Sequence, residues 1–301
     1  MDFVTIVFND KTELMLLKLQ AYSFRFVDPH TVHTIYIVSN DDIDNKLYRQ
    51  ELKKIQRLYP TTMKTQIVSL NDLHLSFQRT DWFNQQIIKL EISKLITAPC
   101  YVILDAKNHF IRYTQQCDFI DKDTNQPILF LDNPGSMLHY FHNCMAYWGD
   151  TDFLLPDNKN LLTTTPYVIQ TQDCRDMLRE IERKEKTDFS TFFKLNLCKY
   201  TEFYLYSCFL ISSNRIQNYS FHPPNCVAIF NADPQLHEFN RFEKKSVVLT
   251  DERIKVFGLH RNAIPYLDDT YKENLLELYR HFYRDNGYSD NGYVYCCSLL
   301  Q

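Results

Sequence analysis

Glycine is scarce in this chain, with five residues in 301. Loops that cradle phosphates need it for tight turns and close backbone approach, and neither GxGxxG nor GxxxxGK(S/T) occurs. Dinucleotide-fold and P-loop chemistries are thereby excluded. Cysteine occurs nine times but never as CxxC, a pattern of a reducing compartment rather than of a disulfide framework. Lysine and arginine form no long run and the formal net charge is −4, so nucleic acid is not an expected partner. No apolar stretch approaches the roughly 18–20 residues of a membrane span. The start, Met1-Asp2-Phe3-Val4, lacks the basic and apolar regions of a secretory leader. A cytoplasmic location is expected.

Aromatic residues are abundant, with 20 tyrosines and 22 phenylalanines. They fill cores and also offer stacking faces to bases and sugar rings. Short apolar runs at Phe3–Phe8, Thr34–Val38, Gln66–Leu70 and Cys100–Leu104 alternate with helical patterns at Thr12–Phe24, Asp44–Tyr59 and Trp82–Ile96, the last capped by Thr80 or Asp81. This alternation predicts an α/β fold with a mostly parallel central sheet flanked by helices. Beyond it the pattern is mixed. Strands are predicted at Pro127–Leu131, Cys226–Phe230, Ser246–Leu249 and Arg253–Phe257, with a turn at Asp132-Asn133-Pro134-Gly135. Helices are predicted at Met137–Trp148, Gln172–Lys186, Glu202–Leu210 (capped by Thr201) and Asp268–Arg284. A single domain over 1–301 is expected, with a nucleotide-binding half at 1–125 and an acceptor-side, closing half at 126–301.

In parallel sheets the binding crevice lies beyond the carboxyl ends of the strands. Topology therefore gathers Asn9, Asp10, Asn40 and Asp105 there. Asp105 ends an apolar strand and is followed by Lys107, Asn108 and His109. Such a carboxylate can ligate a metal or hold a ribose hydroxyl, and the lysine can meet a phosphate as a point charge; turn-capping and a surface lysine are the bland alternatives. Gln86 and Lys89, early in their helix, are placed at the crevice rim as donors to a diphosphate or a sugar hydroxyl. Glu202 opens a helix in aromatic surroundings, a position for a general base as well as for a carboxylate resting on a helix dipole. His260 and Arg261 follow a strand side by side and suit a departing diphosphate.

The run WFNQQIIKLEISKLITAPCYVILDAKNHFIR, Trp82 to Arg112, resembles a family of bacterial glycosyltransferase-like proteins described as a domain of unknown function and similar to the GT-A class. The resemblance implies a GT-A-like fold and sugar transfer from a nucleotide-diphosphate donor to a glycan or glycolipid acceptor in bacterial surface polysaccharide synthesis. It also implies peripheral association with the inner membrane face. Asp105 corresponds to the first acid of the family's DxD motif, Glu202 to the base of inverting members and His260 to the late histidine. The second acidic position is Lys107, so Asp105 and His260 are left to hold Mn or Mg weakly, if any metal is held. The exchange changes local charge by two units and favours a metal-independent version. Aromatic residues Tyr140, Tyr147, Trp148, Phe203 and Tyr204 are expected at the acceptor. A silent nucleotide- or carbohydrate-binding protein and a nucleotidyltransferase acting on a sugar phosphate stand as alternatives.

Overall fold

The computed structural model describes residues 1–41, 45–77, 82–132, 137–149, 159–229, 243–285 and 290–300. The caps at Thr80 and Asp81 and the turn at 133–135 lie outside them. In chain order, β1 (Asp2–Val7), α1 (Lys11–Ser23), β2 (Thr34–Ser39), α2 (Lys46–Gln56), β3 (Thr65–Val68), α3 (Trp82–Glu91) and β4 (Cys100–Asp105) follow the alternation read from the sequence. Then come β5 (Asn108–Phe110), β6 (Ile128–Asp132), α4 (Leu138–Trp148), β7 (Asn160–Leu161), β8 (Tyr167–Gln170), α5 (Thr171–Glu185), α6 (Phe189–Leu195) and α7 (Glu202–Ser212). The chain continues through β9 (Ser220–His222), β10 (Cys226–Ile229) and β11 (Val256–Leu259), with further helices at Glu243–Thr250, Asp269–Tyr279 and Asp290–Leu300.

The central sheet has the order β3-β2-β1-β4-β8, parallel except for β8, which runs antiparallel to β4. The fold is mixed α/β with a mostly parallel sheet. β1 is buried along its whole length because both of its faces are covered. Phe3 and Val7 join the core beneath α1 and α2, while Val4 and Ile6 join the core beneath α3, α5 and α7. Each fully buried large apolar side chain contributes about 1.5–3 kcal/mol, more than local propensity can oppose. That is why these short runs are legible as strands.

Two smaller sheets, β10-β11-β5 and β7-β6-β9, adjoin the central one. Gly258 on β11 lies between Ala228 and Asn108 in register. A Cβ there would meet Ala228 Cβ at 3.0 Å and Asn108 Nδ2 at 3.2 Å, so close approach requires glycine.

Ser246–Leu249 is helical, not a strand. Only one side of the Val247-Val248-Leu249 run is sealed: Val248 is buried and Val247 is 43% exposed. The last turn is completed by Arg112, whose guanidinium donates to the carbonyls of Val248 (2.7 Å) and Leu249 (2.9 Å). The strand expected at Arg253–Phe257 begins later, at Val256, because Arg253 is turned onto the Asp251 carboxylate. The closing helix ends at Tyr279 and continues as a π-helical turn over Arg280–Asp285.

Candidate functional site

Asp105 stands at the carboxyl end of β4, and a buried glutamine braces it from behind. Gln20 of α1 accepts from Thr5 (2.8 Å) and donates to the carbonyls of Asp105 (2.7 Å) and Asn108 (2.8 Å). Asn108 in turn accepts from the Asp105 amide at 2.9 Å. The turn between β4 and β5 is therefore fixed, and it aims the Asp105 carboxylate outward.

That carboxylate meets two ammonium groups. Lys107 pairs with Oδ2, which also accepts from the Thr165 hydroxyl at 3.0 Å. Lys89 reaches Oδ1 at 3.1 Å and Glu202 Oε1 at 3.1 Å, so it bridges two carboxylates. Its hydrogen bond is directed to Glu202. Lys89 and Gln86, expected at an open rim, are instead buried, since the apolar stripe of α3 is wide enough to draw them inside. Burial opposes ionisation of Asp105, yet the two lysines win and hold it well below the usual carboxylate range. Burial likewise opposes the charge on Lys89, but Asp105 and Glu202 push its pKa up. For Glu202 burial prevails over Lys89 and the net shift is upward.

Thr201 does not cap α7 through its side chain. Gln86 accepts the Glu202 amide at 3.3 Å, and the Thr201 hydroxyl is buried without a partner. Gln86 Nε2 also lacks a hydrogen bond. Most buried polar atoms are paired, and the two orphans beside this carboxylate–lysine chain leave polar capacity for a ligand.

The other expected residues lie around the same end of the sheet. Asp10 caps α1 by accepting from the Glu13 amide at 2.9 Å, Asn9 is exposed, and the buried Asn40 donates its amide to Val7 O at 2.9 Å. The pairing of β11 with β5 brings His260 beside Lys107, with Leu259 N donating to Lys107 O at 3.2 Å. His260 is not a resting cation. Burial, and then the charge of Lys107, lowers its pKa to about 4. Arg261 lies over the Phe8 ring at 4.9 Å and faces the Glu13 carboxylate at 3.8 Å. Sequence reasoning missed Glu13, a buried acid whose pKa burial raises to about 7 against the pull of Arg261. It also missed Gln20; the available signal was a polar side chain between Leu19 and Ala21 on a helix packed against β1.

The expected aromatic platform is divided. Phe203 and Tyr204 are buried core residues, the first stacked on Tyr167 at 4.1 Å and the second bonded to Asn160 at 2.6 Å. Trp148 packs on Phe209, further along α7 from Glu202. A divalent cation does not fit the residues at Asp105: it would have to displace an ammonium group from each carboxylate oxygen, and His260 Nδ1 already accepts from the Asn262 amide at 3.2 Å. No group of three His, Cys, Asp or Glu poised for a metal occurs among the described residues.

Among solved structures the chain is similar to the galactosyltransferase LgtC, determined with donor and acceptor sugar analogues, at 12% identity and a TM-score of 0.43 over 91% of this chain and 95% of that one. It is similar to the apo bifunctional glycosyltransferase WbbM at 13% and 0.47, over 93% of this chain and 51% of that one. The glycosyltransferase GlyE of Streptococcus pneumoniae TIGR4 matches at 11% and 0.40, over 100% of this chain and 60% of that one. No curated protein matches. A family model covers residues 10–252, and with so much of its length matched the chain belongs to the family of unknown function DUF6492.

Proposed function

We propose that this protein is a glycosyltransferase that moves a sugar from a nucleotide diphosphate to an acceptor hydroxyl with inversion, without a metal. The observation that carries the reading is the buried chain Asp105–Lys89–Glu202 beyond the carboxyl ends of the parallel strands. Its two carboxylates are set to different tasks. Asp105, held ionised by Lys89 and Lys107, is a weak proton acceptor and a weak nucleophile. Glu202, with its raised pKa, is the better base. Glu202 takes the acceptor proton, the acceptor oxygen bonds to the anomeric carbon, and the bond from that carbon to the diphosphate breaks on the opposite face.

The leaving diphosphate gains negative charge, which Lys107 and Arg261 meet. The resting cluster of Asp105, Glu202, Lys89 and Lys107 balances two negative charges with two positive ones. Added phosphate charge therefore draws on Arg261 and on His260, which gains basicity as the anion arrives. The half-buried Arg261 arm, resting on Phe8 and facing Glu13 at 3.8 Å, swings toward it. We assign Asn9 and Asn40, which follow β1 and β2, to the ribose and base.

The test is incubation with a panel of nucleotide-diphosphate sugars and oligosaccharide acceptors, with and without chelator, read by product mass. Transfer that survives chelation and disappears in Glu202→Gln supports the reading. Hydrolysis or transfer unchanged in Glu202→Gln removes the base, and activity lost on chelation removes the metal-free mechanism.

A further inference from the structure

Three large apolar side chains stand in solvent at one edge of the molecule: Trp82 is 44% exposed, Leu195 78% and Leu197 44%. They converge because α3 and α6 pack side by side in opposite directions. Glu91, at the end of α3, lies in the field of Asp188, which caps the start of α6. The far end of α6 is accordingly brought toward the start of α3. There Lys194 donates to Ser76 O at 3.2 Å and lies over the Phe77 ring at 4.6 Å. Lys199 lies over the Tyr200 ring at 5.2 Å, and its carbonyl accepts from Asn143 of α4. Two ammonium groups thus flank two protruding leucines and an indole.

This edge adjoins the candidate site along the chain. Trp82 precedes Gln86 and Lys89 on the same helix by one and two turns, and Lys199 is three residues before Glu202. Glu202 is buried against Lys89, and Asp188 lies at the opposite end of α6. Exposed leucines and tryptophan alone would fit a protein partner or a second copy. Leucines and an indole ringed by lysine, on a chain of net charge −4, fit a surface that is apolar in depth and anionic at its face.

We propose that the edge formed by Trp82, Leu195 and Leu197 with Lys194 and Lys199 docks the protein on an anionic lipid bilayer, so that the acceptor reaching Glu202 is a lipid-linked sugar. Indole and leucine side chains enter the headgroup boundary while the lysines meet lipid phosphates. Docking stands on the surface itself; the nature of the acceptor rests on the transferase reading above.

The test begins without donor, by flotation of the full chain with phosphatidylcholine vesicles that contain or lack phosphatidylglycerol. Binding is expected only to the anionic vesicles and should weaken with added salt. Leu195→Ser with Leu197→Ser, and separately Lys194→Gln with Lys199→Gln, should each reduce vesicle binding by roughly tenfold or more, with unchanged melting temperatures. Failure of the parent to float, or equal flotation of both double variants, overturns docking. Conversion of a dimer to a monomer by the leucine pair, without any effect on flotation, assigns the edge to a second copy and also overturns it. In a second arm, transfer to a lipid-linked sugar in vesicles should fall in both double variants while transfer to a water-soluble glycan is kept. Equal loss on both acceptors overturns the acceptor assignment. Absence of transfer with every acceptor, beside intact vesicle binding, refutes the chemistry and leaves the docking surface.

Discussion

The two ends of β4 each carry a carboxylate–cation cluster, and they are built differently. At the start of the strand, Thr171 of α5 bonds back to Pro99, and Asp173 follows two residues on. Asp173 accepts from Arg215 at 2.7 Å and from the Tyr219 hydroxyl at 2.8 Å. Arg215 also reaches Asp176 at 2.7 Å, and Asp176 accepts further from Gln172 at 2.8 Å. Every one of these acceptors is satisfied, and the cation is an arginine. At the other end the cations are lysines, compact point charges whose donors leave buried neighbours unpaired. Asp173 and Glu202 both sit in the first turn of a helix, so their sequence settings look alike. Their surroundings distinguish them: a closed network supports the fold, whereas an incomplete one has capacity for a ligand.

The largest test of this difference is Lys89→Met. It leaves Asp105 and Glu202 facing one another without their shared cation, and breaking a buried pair costs about 3–5 kcal/mol. Urea denaturation should show that loss; a loss below about 1 kcal/mol, the scale of an exposed pair, would mean that water already screens the cluster. Next comes the paired comparison of Glu202→Gln with Asp173→Asn. The first should lower single-turnover transfer by roughly 10² or more while nucleoside diphosphate affinity stays within about twofold, since Lys89 keeps Asp105 as partner. The second should lower the melting temperature and leave turnover intact. The reverse pattern would make Asp173 the working acid.

A smaller effect is expected from Gly258→Ala. The added methyl presses Ala228 and Asn108, and overpacking of this kind costs about 1–3 kcal/mol. Thermal unfolding would register it, and a neutral result would show that β11 moves aside freely.

The last effect concerns pH. His109 is fully buried, bonded through Nδ1 to Lys107 O at 3.2 Å, and burial pushes its pKa down to about 3. The unfolded chain takes up this proton near pH 6.5 and the folded chain does not. Stability from this group is therefore full above that pH and declines as pH falls toward 3. Glu13, raised to about 7, has the opposite sign: its contribution is full below the ordinary carboxylate value and is lost as pH rises through 7. Denaturation midpoints at several pH values should lose less as pH falls from 6.5 toward 3 in His109→Gln, and should lose less as pH rises from 4.5 to about 7 in Glu13→Gln. An unchanged profile in either variant would remove that residue from the balance.

The alternation up to Asp105 was readable because β1, β2 and β4 are largely apolar runs sealed on both faces, whereas β3, at the sheet edge, is only partly buried. β5 was not readable: Asn108 and His109 look like loop residues, and their burial depends on β11, almost 150 residues away. β8 is hidden likewise, since its strand character comes from pairing with β4. In the candidate site, Asp105 could be found from its place at a strand end. Lys89 was found as a polar group but given an exposed setting, because nothing local announces a carboxylate 113 positions later. Glu13 was passed over because an acid after a helix cap is ordinary. The aromatic residues after Thr201 misled in the other direction, since a helix buried on all sides carries the same residues as a stacking platform. Asp150 and Asp152, further acids between Asp105 and His260 that could serve as a base, lie outside the described residues.

The amide of Gln20 has consequences for motion. It ties β1, α1, β4 and β5 to one point, with both of its donors and its acceptor engaged. Opening the turn that carries Asp105 and Lys107 would strand these groups in a dry interior, at about 1–3 kcal/mol for each. That turn is consequently an anvil rather than a gate. Adjustment on ligand arrival is left to side-chain arms such as Lys107 and Arg261 rather than to the slow backbone excursions of a lid. Amide protons around Asp105 should accordingly exchange as slowly with ligand as without it.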